Sequence, residues 1–61
     1  MNLIYLTKKK LQGNIDRLKD LEECLKSNLS IDATHYCRDE ISKLKNNIEY
    51  YSKILEVLER K

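Results

Sequence analysis

Between Cys37 and Leu58 the apolar or semi-polar positions are Cys37, Ile41, Leu44, Ile48, Tyr51, Leu55 and Leu58, at alternating intervals of four and three. That alternation is a heptad seam, so the stretch predicts one long helix pressing a narrow stripe against another helix. A candidate cover lies earlier in the chain. Leu11, Ile15, Leu18, Leu21, Leu25 and Leu29 repeat at helical spacing, with Glu22 at one expected seam position. Ile4, Leu11, Leu18 and Leu25 are seven apart, which carries the pattern back to the start of the chain.

Small polar residues concentrate from Ser27 to Asp32, the one clear break in the periodicity. The pattern therefore predicts an all-α fold, an antiparallel two-helix hairpin of coiled-coil type forming a single domain over residues 1–61. The first helix is expected over about 2–28, the turn over about 29–32 and the second helix over about 33–59. Asn2 is placed to cap the first helix and Asp32 the second, with Ser30 as the alternative. Ile31 and Tyr36 have the spacing of a hydrophobic staple, and Asn28 stands where a left-handed residue would close the first helix.

Folding the helices back about Ile31 sets Leu25 against Cys37, Leu18 against Leu44, Leu11 against Tyr51 and Ile4 against Leu58. Two heptads then meet in one register, an agreement stronger than either alone. The expected intramolecular seam is Ile4, Leu11, Ile15, Leu18 and Leu25 facing Cys37, Ile41, Leu44, Ile48, Tyr51, Leu55 and Leu58. Leu21 is read as lying beside it. Leu3, Tyr5, Leu6, Tyr50, Ile54 and Val57 exceed what one seam can cover. A surplus of that kind marks an interaction surface, so these six are the candidate protein interface. The partner is expected to be a heterologous helical protein, a second copy of the chain, or both.

Composition sharpens this picture. The chain has no proline, one glycine and four tyrosines as its only aromatics, which suits long helices. A chain of this length buries only about 60% of its unfolded surface, so assembly is a natural route to stability. Twelve basic residues interleave with ten acidic ones for a formal charge of +2, which disfavours a nucleic-acid function. Lys8, Lys9 and Lys10 are the local exception and read as a solvated face. Met1 to Leu6 is too short for a membrane span or a signal-peptide core, so no membrane insertion and a cytoplasmic location are expected. Gly13 costs its helix about 1 kcal/mol relative to alanine, as a tolerated defect or as a point of close approach.

No residue set has the pattern of a catalytic site, and the chain is not expected to be an enzyme. Cys24 and Cys37 fall near one another in the hairpin register and are expected as free, partly buried thiols. Their spacing is no metal motif, and His35 alone completes no zinc set. His35 also lacks the rigid pocket and oxyanion site that a cysteine–histidine couple requires. Neither a metal nor another cofactor is expected.

With Tyr36 near the start of its second helix, the seam Ile41–Leu44–Ile48, and an apolar C-terminal half at Tyr51, Ile54, Leu55 and Leu58, the chain resembles the small helical-hairpin co-chaperones of type III secretion needle subunits. That resemblance covers most of the chain. It implies a non-catalytic hairpin that joins a larger helical-repeat chaperone and keeps an aggregation-prone needle subunit unpolymerised in the cytoplasm. The architecture also resembles the small phosphatases of a sporulation response regulator, whose second helix carries Ser-Gln-x-Leu-Asp. Here Arg38-Asp39-Glu40-Ile41-Ser42 lacks the signature serine, the glutamine and the terminal aspartate, with Ser42 in place of the functional acid. That departure speaks against phosphatase activity and leaves a hairpin regulator or a homodimeric helical adaptor as the alternatives to a co-chaperone.

Overall fold

The computed structural model describes residues 2–60 and is an all-α antiparallel hairpin, α1 (Leu3–Leu25) and α2 (Ile31–Glu59). Asn2 caps α1 as its sequence position predicts: its side-chain oxygen accepts from the amides of Ile4 at 2.9 Å and Tyr5 at 3.3 Å.

The turn differs from the expectation at both ends. α1 stops at Leu25 instead of running to about residue 28, and α2 begins at Ile31 instead of residue 33. The closure of α1 is a tightening of its last turn, with Lys26 N–H donating to the Glu23 carbonyl and Ser27 N–H to that of Cys24, both at 3.1 Å. The Ser27 hydroxyl donates to the same Cys24 carbonyl at 2.6 Å. Those carbonyls are satisfied without a left-handed residue, and no described residue, Asn28 included, has positive φ.

Ser30, the alternative cap, is the one used: its Oγ accepts from Ala33 N–H at 3.2 Å. Asp32 instead lies in the first turn, where its charge favours the positive helix end. Moving the cap to Ser30 also moves the staple positions to Leu29 and Thr34, both half-buried. Ile31 and Tyr36 are left 76% and 56% exposed, so they form no staple.

Along the interface, Ile4, Thr7, Leu11, Asn14, Leu18, Leu21 and Leu25 of α1 are all buried or half-buried, alternating in steps of three and four. The facing stripe on α2 runs from Cys37 to Leu58 as its heptad predicts, with every member buried or half-buried. Leu21, Cys37 and Ile41 form the fully buried cluster, and Leu18, Leu25, Leu29 and Leu44 pack against it. Leu21 is therefore a centre of the seam and not its neighbour, and Glu22 is exposed. The reason is geometric: a step of three from Leu18 lands on Leu21, whereas a step of four would press a carboxylate into the interface.

Thr7 and Asn14 occupy the corresponding places in the preceding heptads. The buried Thr7 hydroxyl donates to the Leu3 carbonyl at 2.7 Å, so its polar group is not stranded. Asn14 donates to the Lys10 carbonyl at 2.7 Å and accepts across the interface from Asn47 at 3.4 Å. Ile15, expected in the seam, is half-buried at its edge. On the surface, Glu49–Lys53 and Glu56–Arg60 pair as their spacing predicts, while Lys43 joins Glu40 in place of Asp39.

The hairpin measures 47 × 15 × 15 Å, and its radius of gyration is 14.2 Å. A compact domain of this length would have about 10.5 Å. Rod shape exposes surface that a globule would cover.

Two stability comparisons follow from this geometry. Leu21→Ala should cost about 2–5 kcal/mol and Glu22→Ala less than about 0.5 kcal/mol in urea unfolding followed by circular dichroism; equal effects would contradict the seam assignment. Ser30→Ala should cost about 1 kcal/mol, against a few tenths (~0.3 kcal/mol) for Asp32→Ala, and the reverse order would restore Asp32 as the cap.

Candidate interaction surface

In an antiparallel helix pair, positions just after the seam residues face each other on one side and those just before them on the other. Lys8 follows Thr7 and Glu59 follows Leu58, and these two form an ion pair of 3.4 Å, which fixes the first side. Leu3 precedes Ile4 and Ile54 precedes Leu55, so both lie on the second side. Asn47, which precedes Ile48 and bonds to Asn14, lies there too.

Helical phase adds Leu6 on α1 and Tyr50 and Val57 on α2 to this second side. Leu3, Tyr50 and Val57 are 61%, 62% and 66% exposed, and Leu6 and Ile54 are half-buried. Five of the six candidate interface residues thus converge on one flank of the open end, away from the turn. Tyr50 is held in place from below, because its ring meets the ring of the seam residue Tyr51 edge-on at 5.4 Å.

Tyr5 does not join them. It lies on the opposite flank, 57% exposed, with the Lys9 ammonium over its ring at 5.5 Å from the centroid. This cation–π contact and the Lys8–Glu59 pair give two of the three clustered lysines partners on the surface. Ile31 and Tyr36 expose apolar surface at the turn end, because with Ser30 as the cap neither occupies a staple position.

Gly13 lies on the same stripe of α1 as Leu3, Leu6 and Lys10. A Cβ built on it would meet nothing within 4 Å. No described neighbour requires a glycine here, and the position is open to solvent.

Both cysteines are free: Cys37 is buried in the seam, and Cys24 is exposed, not partly buried as expected. Among the described residues no group of three or more potential ligands could hold a metal ion, and no helix is long and apolar enough to cross a membrane. What the flank presents is apolar area, at Leu3, Tyr50 and Val57.

The flank and the seam should separate in experiment. At high dilution, Tyr50→Ser and Val57→Ser should each shift hairpin stability by less than about 0.5 kcal/mol, whereas Tyr51→Ala should cost about 2 kcal/mol or more. Comparable losses from all three would make the flank part of the folding core. No family model matches this chain, and no curated protein or solved structure is similar enough to it to be matched.

Proposed function

We propose that this hairpin is a non-catalytic protein–protein interaction module whose open-end flank receives helices of another polypeptide. One observation carries the reading: Leu3, Tyr50 and Val57 stand exposed beside the half-buried Leu6 and Ile54 on one side of the hairpin. Contiguous apolar surface exposed on a small protein is costly to leave in water, and helix-in-groove recognition uses residues spaced as Tyr50, Ile54 and Val57 are. In the co-chaperone role that the resemblance implies, this flank is the joint with a larger helical chaperone, and the pair holds a secretion subunit unpolymerised in the cytoplasm.

A photoreactive benzophenone side chain placed at Tyr50 tests the reading in the native host. Irradiation should yield covalent adducts from position 50 and few from position 42, on the other flank of α2. Equal labelling at the two positions, or none at either, removes the flank as a docking surface.

A further inference from the structure

We infer that Cys24 and Cys37 form a redox clasp: when a peroxide oxidises the exposed thiol, the two sulfurs join in an intramolecular disulfide that staples α1 to α2 beside the turn. The clasp is separate from the open-end flank and does not depend on it.

Register brings the two residues to one level. An antiparallel helix pair has a local two-fold axis that exchanges its helices. Here the exchange carries Leu18 onto Ile41, Leu21 onto Leu44 and Leu25 onto Ile48, seam onto seam. It also carries Asn14 onto Cys37 and Asn47 onto Cys24. Asn14 and Asn47 touch across the interface, at 3.4 Å between their side-chain amides. Cys37 and Cys24 therefore stand in the same relation, one in the seam and the other just before a seam residue, on the same side of the hairpin. Ten residues of each helix, about 15 Å of rod, separate the two pairs.

A disulfide needs its Cβ atoms about 3.5–4.5 Å apart, closer than two hydrogen-bonded asparagines require. The helices can draw in at this level, because α1 stops at Leu25, one residue after Cys24, and only residues 26–30 join it to α2.

Exposure divides the roles. Cys24 is exposed and meets oxidant from solvent, whereas Cys37 is buried with Leu21 and Ile41 and is shielded. The peroxide gives one oxygen to the Cys24 sulfur, forming a sulfenic acid, and is itself reduced to water or an alcohol. The Cys37 sulfur, losing its proton, then attacks that of Cys24. The S–S bond forms, the S–O bond breaks, and the departing hydroxide takes up the Cys37 proton as water. The two thiols lose two electrons in all, and the peroxide gains them. A dithiol reductant restores both thiols. In a reducing compartment such a pair stays open until oxidant arrives, which is the behaviour of a sensor and not of a structural bridge. Closure turns the Cys37 sulfur away from Leu21 and Ile41 and fixes the turn end of the rod.

Titration of the full chain with hydrogen peroxide at high dilution tests the clasp. The expected product is a single chain lighter by two hydrogens, whose unreduced digest joins the Cys24 peptide to the Cys37 peptide. Its melting temperature should stand at least about 5 °C above that of the reduced chain. A dithiol reductant should return both the mass and the melting temperature. Cys24→Ser, at an exposed position, should leave the reduced fold unchanged and abolish the gain. Moving the thiol to the other side of the hairpin, with Cys24→Ser and Lys26→Cys together, should slow bridging at least about tenfold. Accumulation of a Cys24 sulfinic acid, or of a dimer linked through Cys24, with Cys37 still a thiol overturns the inference. So does a bridge that lowers the melting temperature, or equal bridging from position 26.

Discussion

Two helices share only one interface, and everything about this molecule depends on how that line of contact is filled. Each helix can turn one stripe inward, so the apolar cover available to any side chain is half a shell. No described side chain is completely enclosed, and the most buried, Leu21, retains 5% of its exposure. Such a fold depends on phase. Rotating α1 by one residue would replace Leu21 with Glu22 and put a charge where the cluster with Cys37 and Ile41 now sits.

Thr7 and Asn14 fit within this constraint at a cost in apolar area. Both hold seam positions where leucine would bury more surface, and both answer their polarity locally, at the Leu3 and Lys10 carbonyls. Asn14 also reaches Asn47 on the other helix. A polar side chain at a coiled-coil seam position typically trades stability for a defined register. In this hairpin the Asn14–Asn47 contact is a long, solvent-exposed polar link between the two helices at that level.

The second helix was legible because its stripe is apolar throughout, and the hairpin followed once Ile4, Leu11, Leu18 and Leu25 matched it at seven-residue spacing. The first helix was harder to read. Two of its three intermediate seam positions are Thr7 and Asn14, so the eye moves to Ile15 and to the slot of Glu22, and Leu21 drops to the margin. The turn misled for a different reason. Ser30 and Asp32 are both good caps two residues apart, and only the fold shows that Ser30 takes the Ala33 amide and leaves Asp32 in the first turn. The candidate surface was mostly readable as surplus hydrophobicity. Dividing it between two flanks required the hairpin's handedness, which the Lys8–Glu59 pair supplies and which removes Tyr5 from the group.

The buried side chains are also unevenly placed along the rod. Leu21, Cys37 and Ile41 all lie in the half nearest the turn, and toward the termini only Thr7 is buried. Free energy of local opening must therefore rise from the end opposite the turn toward the turn, so that backbone near Leu3 and Leu58 opens through smaller excursions than the Leu21 layer. A partner that grips the open end engages the least ordered part of the rod and must spend some of its contact energy holding the two ends closed. Its affinity is thereby linked to terminal order, and a change that merely stiffens the last turns would tighten binding without touching the partner.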